Sequence, residues 1–400
     1  MAFTMTLLEE ARALAPTLEE LKAQLHRRPE LSFHEVNTTA KIRTLLEPLG
    51  VEFLDLGMET GVAALLQGGK SGPTVALRAD IDAITLQEPE GPGSSEAEGV
   101  MHACGHDFHT TCLYGAAKLL AARREQLSGA VLLIFQPAEE VTQGAAAMLR
   151  HGLWEKAGGK PAAIFGLHNR PEVPCGQIAV LPGPIMAGKN NFTLTLYGKS
   201  GHGGSPHKCV DVIVPGAAIV SAAQTVVSRC TDPLDSLVCS VCSIHAGTPD
   251  NFAPDLLTMT GSLRAHSDAV LADASARLEA LARDIAAAYG CTADFVLEPQ
   301  VPVTWNGPET TTLAKQAAAE LVGAENVVQP RPDMGSEDFA VLSQGIPSFF
   351  YWLGSGFPDR ENPCWHNVHF RTDDDALPLG AALLARSVEL ALKHFSAEKI

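Results

Sequence analysis

At 400 residues the chain exceeds what one hydrophobic core usually supports, which predicts about two or three domains. Its formal charge of −17 opposes the basic stripe by which nucleic-acid binders release counterions, so nucleic acid is excluded as a partner. No apolar run approaches the roughly 18 residues of a membrane span. Residues 1–28 read as an acidic amphipathic helix without the segments of a secretory signal, so the expected location is cytoplasmic, with no membrane partner.

Beyond that helix, continuously apolar runs alternate with helical ones. Residues 72–80 (GPTVALRAD), 129–140 (GAVLLIFQPAEE) and 162–169 (AAIFGLHN) read as strands, and residues 107–126 and 144–157 as helices. Flanking Gly and Pro and the β-branched content favour strands over short helices. The alternation predicts an α/β domain, a largely parallel sheet covered by helices on both faces. After LPGPIMAGKNN the pattern changes to strand, helix, two strands, helix, strand, ending at CTADFVLEPQV. This βαββαβ order predicts a ferredoxin-like α+β domain inserted into the first. The expected boundaries are 1–186 for the first part, 187–302 for the insertion and 303–400 for the returning part. The insertion's first strand is expected at an exposed edge, where a second copy could pair with it in a two-fold dimer.

Nine cysteines, an odd number and scattered, do not form a secreted disulfide framework and read as reduced thiols. Cys104 stands apart because its neighbours are ligand-type residues: MHACGHDFHTT (101–111) holds three histidines, a cysteine and an aspartate. Two strands end on further donors, Glu139 and Glu140 after VLLIFQPAEE and His168 after AIFGLHN. In open α/β sheets ligands collect beyond the carboxyl ends of strands, so these groups and the HACGH loop should converge. Thiolate and imidazole together suit Zn²⁺ and related transition metals rather than Ca²⁺ or Mg²⁺. If the strand continues through Glu139 and Glu140, their side chains point to opposite faces, one to metal and one to substrate.

These stretches, with LHRRPELSFHE, LRADIDAI, FQPAEE, GLHN, GHGGSPH, SRCTDPLDS, MGSEDF and WHNVHFRTDDDALPLG, run nearly end to end. Together they resemble the M20 metallopeptidase and amidohydrolase family, in its aminoacylase or hippurate-hydrolase-like branch. The resemblance implies Cys104, His106, Glu140, His168 and His366 as metal ligands and Glu139 as general base. Five ligands exceed the roughly three of a catalytic tetrahedral zinc and suit two divalent ions, Zn, Mn, Co or Ni, with a bridging donor. WHNVHF also contains His369, and spacing does not choose between it and His366. His102 and Asp107 are cast as groups that orient ligands. Asp80 and Asp82, where other branches carry a ligand histidine, are given at most the same role. Thr85 stands where this branch usually has proline, so the loop after it need not share the branch's shape.

In the insertion, the resemblance implies that His202 donates to the tetrahedral oxyanion, often from the other subunit of a homodimer. It implies that Asn251 and Arg264 hold the free carboxylate, and His207 and Glu337 are added as polar contacts. Arg suits bidentate carboxylate recognition, and a preorganised oxyanion donor is worth about 3 kcal/mol. The implied activity is hydrolysis of a small N-acyl amino acid to a carboxylic acid and an amino acid. Alternatives are a carboxypeptidase or dipeptidase using the same two-metal site, or an inactive metal-binding protein. Retention of Glu139 with all five proposed ligands argues against the last.

Overall fold

The computed structural model describes residues 6–247 and 251–397. The chain divides into two compact units, one of residues 1–183, 305–331 and 338–400, the other of residues 184–304 and 332–337. The short segment 332–337, placed by sequence order in the returning part, groups with the insertion because side chains hold it there. Arg264 Nη1 donates to Met334 O (2.9 Å) and Ser336 Oγ (3.1 Å), and His266 Nε2 lies 2.8 Å from Asp333 O.

The first unit is built on an eight-stranded sheet ordered Glu52–Leu54, Val62–Gln67, Ser128–Gln136, Lys70–Asp80, Ala163–Pro174, Ser348–Gly356, Ile178–Ala179, Val327–Val328. The four long central strands, from Ser128–Gln136 to Ser348–Gly356, pair in parallel, and the antiparallel pairs lie to either side of them. The middles of the central strands are mostly apolar because both faces are covered, and their polar residues gather towards the ends. Along the fully buried Ser348–Gly356, Phe349, Tyr351 and Leu353 join the core that contains the helix Leu377–Ala397. Phe350 turns to the other face and packs 4.9 Å from Phe339. Each such side chain contributes roughly 1.5–3 kcal/mol by leaving water. The helices His106–Ala122 and Leu377–Ala397 cross closely on small residues: a Cβ on Gly380 would lie 2.5 Å from Cys112 Sγ.

The strand expected over 129–140 stops at Gln136, since Pro137 has no N–H for the ladder and Ala138 takes φ +53°. The helix expected over 144–157 is two pieces, Gly144–Arg150 and Leu153–Lys156, separated at Gly152 with φ +80°.

The second unit carries an antiparallel sheet ordered Leu237–Ala246, Leu256–Ala265, Gly188–Tyr197, Thr292–Val301, with helices Ile213–Cys230 and Asp268–Ala288. Alternate residues of Gly188–Tyr197 are buried; Phe192, Leu194 and Leu196 share a core with Ile219, Ala223, Val226, Leu271 and Leu278. This is the ferredoxin-like order, with one correction: the first strand is central, paired on both sides, and the edges are Leu237–Ala246 and Thr292–Val301. A second correction concerns Ile213–Cys230. It is long and apolar enough to cross a membrane by length and composition, contrary to the sequence reading. The helix reaches this composition because small and β-branched residues continue around it, yet Ile219, Ala223 and Val226 seat it on the sheet of its own unit.

Candidate active site

The site grows from the carboxyl ends of the central strands. Asp80 pairs with Gln136, and two steps beyond the Arg78–Gly166 pair comes His168, so all three residues reach the same level. The loop after Met101 then brings Cys104 to this edge. Gly105 adopts φ +86°, and a Cβ there would lie 2.4 Å from Asn169 Nδ2, so only glycine fits between Cys104 and His106. His106 opens the helix His106–Ala122.

Glu139 and Glu140 lie in a turn, not on a strand. Asp82 gathers this turn, accepting the N–H groups of Glu139 (3.1 Å) and Glu140 (3.0 Å) and the Ser32 hydroxyl (2.7 Å). Glu35 accepts the N–H of the left-handed Ala138 at 2.8 Å. Both carboxylates therefore face the same group, with His106 Nε2 at 4.0 Å from Glu139 and 3.7 Å from Glu140. The expected division to opposite faces is corrected, because the alternation of a strand ends where the strand does.

His366 comes from the loop after Ser348–Gly356. Its N–H donates to Ala103 O (2.8 Å), and its Nε2 lies 3.4 Å from Glu140. The structure brings His366 to the cluster, whereas His369 is exposed and its N–H is held by Asn367. Three triads of donors each lie within 4.8 Å of one another: Cys104, His106 and His168; Cys104, Glu140 and His366; His106, Glu139 and Glu140. All five expected ligands and the expected base are thus gathered, and Cys104, His106 and Glu140 are each shared by two triads.

Hydrogen bonds orient the rings. Asn169 N–H donates to His109 Nε2 at 2.9 Å, so the His109 proton sits on Nδ1 and is given to Asp80 at 2.6 Å. His168 Nδ1 donates to Asn169 O at 2.8 Å, which leaves its Nε2 lone pair facing Cys104 Sγ at 3.4 Å. His106 Nδ1 is held by Asp82 at 3.2 Å, and its Nε2, like Glu140 Oε1, is buried with no hydrogen-bond partner among the described residues. Orphaned buried groups of this kind are costly unless something satisfies them. Imidazole nitrogens, a thiol and carboxylates aimed at one another fit divalent cations. The electrostatics agree: burial opposes charge on His106, but Asp80, Asp82 and Glu140 hold its pKa up at about 10, so this pocket favours positive charge. Burial pushes His168 well below the ordinary histidine range, with His109 adding to it, which keeps its lone pair free.

The groups expected in the insertion are arranged differently. His202 lies in a two-residue strand paired with Phe252–Ala253 and is exposed. Its Nδ1 accepts the Gly204 N–H at 2.9 Å, so Nε2 carries the proton and is a donor. Gly203 N–H donates to Asn251 O at 2.9 Å, which joins the loops of His202 and Asn251. His207 sits exposed in the short helical turn Pro206–Lys208. Arg264, half-buried, spends two donors on segment 332–337, and burial lowers its pKa from the ordinary value. Glu337 is buried, and its carbonyl accepts from Thr304.

The family model described as "Peptidase family M20/M25/M40" matches residues 76–390. The chain belongs to this family. It is 39% identical over 384 residues to the N-acetylcysteine deacetylase of Bacillus subtilis (strain 168), covering 96% of this chain and 98% of that protein. It is 35% identical to thermostable carboxypeptidase 2 of Saccharolobus solfataricus, over 92% of this chain and 94% of that protein. Among solved structures, the Bacillus subtilis YXEP protein, described as a dinuclear metal binding peptidase from the M20 family, superposes with a TM-score of 0.84. It shares 36% identity, over 96% of this chain and 99% of that one. The chain is a hydrolytic enzyme of the M20 family.

Around this M20 site the structure reveals residues the sequence reading passed over. Buried Arg78 binds Asp80 (2.8 Å), Gln136 (2.9 Å) and Asp338 (3.0 Å), and Asp338 also accepts from Gln136 and from Ala145 N–H. The carboxylate next to Glu337 is therefore a brace for the sheet edge. Asn169 donates to Cys104 O at 2.6 Å as well as to His109. Behind Asp107, His26 bridges Asp107 (2.8 Å) and Glu88 (3.2 Å). Asp107 thus binds His26, whereas His102 is buried with neither ring nitrogen hydrogen-bonded among the described residues, so no orienting bond runs from His102 to any of the five ligands. The available signal was the density of polar residues in apolar runs, Arg78 within VALRAD and Asn169 within FGLHN.

Proposed function

We propose that this enzyme hydrolyses the amide bond of small N-acyl amino acids. The observation that carries the reading is the convergence of Cys104, His106, Glu140, His168 and His366 on two orphaned donor atoms, with the Glu139 carboxylate beside them. Cys104, His106, Glu140, His168 and His366 would hold two divalent ions, which would supply Lewis acidity to this pocket. Glu139 takes the proton from the attacking water and returns it to the departing amine. His202, fixed as the Nε2–H tautomer, donates to the developing oxyanion. Arg264 uses the donors it does not spend on segment 332–337 to hold the substrate carboxylate, with Asn251, His207 and Glu337 as polar contacts.

The second copy in a homodimer supplies His202 in this reading. Support comes from Ile213–Cys230, apolar yet largely exposed, and from the edge strand Leu237–Ala246, which shows Val238 and Ile244 to solvent. The similarity to the deacetylase supports N-acyl amino acids, and that to the carboxypeptidase favours a second reading, cleavage of a C-terminal peptide bond. A panel of N-acetyl and N-benzoyl amino acids against dipeptides and N-blocked peptides decides. Turnover confined to the peptides would replace the first reading by the second.

A further inference from the structure

We infer that Arg170 and Trp365 are positioning residues for the His366 ligand, holding its loop through a stack of cation and aromatic rings. The inference rests on the reading of His366 and His168 as metal ligands.

His366 is the least sheltered of the five donors, with its side chain 56% exposed, and its backbone has φ +59°. Side-chain-bearing residues seldom adopt that conformation unless their surroundings enforce it. The loop is anchored on either side. After His366, Phe370 is buried with Met101 and Ala103. Before it, Trp365 donates its indole N–H to Asn169 Oδ1 at 3.1 Å and sets its ring edge-on to His168, with centroids 4.6 Å apart.

Arg170 completes the anchor. Its guanidinium lies 4.7 Å from the Trp365 ring centroid and 4.3 Å from that of Trp352, and Glu172 pairs with it at 2.9 Å. Trp352 is fully buried and is the strand partner of His168. The stack Trp352, Arg170, Trp365, His168 thus ties two central strands to the His366 loop. A cation between two indoles is attracted to both faces, more strongly as water is excluded. Trp365 also reaches other donors, since its partner Asn169 holds the Cys104 carbonyl. An Arg that served only as surface charge would not have its side chain reduced to 13% exposure between two rings.

Loss of the indole should therefore act asymmetrically. The triad of Cys104, Glu140 and His366 loses the anchor of its His366 donor, whereas in the triad of Cys104, His106 and His168 the hydrogen bonds of His106 to Asp82 and of His168 to Asn169 O do not involve the indole. The test uses full-length, metal-stripped wild type, Trp365→Leu, Trp365→Phe, Arg170→Gln and His366→Ala, titrated with Co²⁺ and followed by metal content and visible absorption. The expected result is two ions for wild type and a roughly 10–100-fold weaker affinity for one of them in Trp365→Leu. Its Co²⁺ spectrum should shift towards that of His366→Ala. Trp365→Phe, which keeps the ring contacts but not the N–H, should recover part of the affinity, and excess metal should restore turnover to Trp365→Leu. Wild-type affinity and spectrum in Trp365→Leu, with His366→Ala still impaired, overturn the inference alone. If His366→Ala itself keeps both ions at wild-type affinity, the ligand assignment fails, and this inference with it. Should Trp365→Leu not fold, wild-type binding by both Trp365→Phe and Arg170→Gln is the overturning result.

Discussion

In the first unit, the donors around Cys104 have further groups behind them: Asp82 behind His106 and both glutamates, Asn169 behind His168 and the Cys104 carbonyl, Arg78 behind Asp80. In the inserted unit, His202, His207 and Asn251 stand exposed on loops held by hydrogen bonds to the backbone, while Arg264 is half-buried and tied down and Glu337 is buried. On the proposed function, the difference follows from what each set does. A cluster that holds cations needs its negative and lone-pair groups fixed close together before binding, and burial with paired neighbours achieves this. Groups that touch a substrate, or another copy, can remain solvated until that contact forms.

The comparison breaks most completely at the base. Chelation should abolish turnover while far-UV circular dichroism stays native, because the proposed ligands lie at the strand ends of a unit that has its own large apolar core. With metals present, Glu139→Gln should lower kcat by about 10²–10⁴-fold and keep its metal content, whereas Cys104→Ala or His168→Ala should lose metal. If Glu139→Gln sheds metal as Glu140→Gln does, the roles of this adjacent pair are wrongly divided.

On the exposed side, His202→Ala should lower kcat by roughly 10²–10³-fold with both ions retained. Unfolding it together with Glu139→Gln and refolding the mixture should restore about a quarter of wild-type activity, since about half the dimers are mixed and each has one complete site. Mixed dimers that remain inactive would place His202 in its own subunit or outside catalysis.

Asp82→Asn sharpens the contrast from the buried side. It weakens the group that holds His106 and both glutamate N–H groups, so metal affinity should fall about 10–100-fold. Calorimetric titration giving wild-type affinity would remove Asp82 from that role.

The smallest expected effect is on stability. Burial opposes a charge on His26, but hydrogen bonds to Asp107 and Glu88 raise its pKa from 6.5 to about 9. Because the folded value is raised, the contribution is complete below pH 6.5 and is lost as pH climbs through 9. His26→Gln should cost on the order of 3 kcal/mol near pH 6 and much less near pH 9.5 in urea unfolding. An equal gap at both values would show that packing, not charge, is what His26 provides.

The alternation of apolar runs, the ferredoxin-like order and the HACGH cluster were all readable along the chain, since each is a local pattern of residue types. Three features resisted that reading. The strand ending at Gln136 hid the turn that aims Glu139 and Glu140 the same way, because a left-handed Ala138 carries no signature in its residue type. The choice of His366 over His369 depends on a backbone bond to Ala103, more than 250 residues earlier in the chain. The central place of Gly188–Tyr197 follows from pairing with both Leu256–Ala265 and Thr292–Val301, which periodicity within a strand does not specify.

Composition and periodicity by themselves determined that this chain builds a covered parallel sheet with an α+β insertion, because burial of apolar faces is encoded residue by residue. They also determined which side chains are able to hold a metal. Tertiary structure alone decided which of those side chains meet, which tautomers they adopt and what braces them, as in Arg78 with Asp338 or Arg170 between Trp352 and Trp365. Such partners lie far apart in the chain, and their distances and directions exist only after the strands have paired and the loops have closed over them.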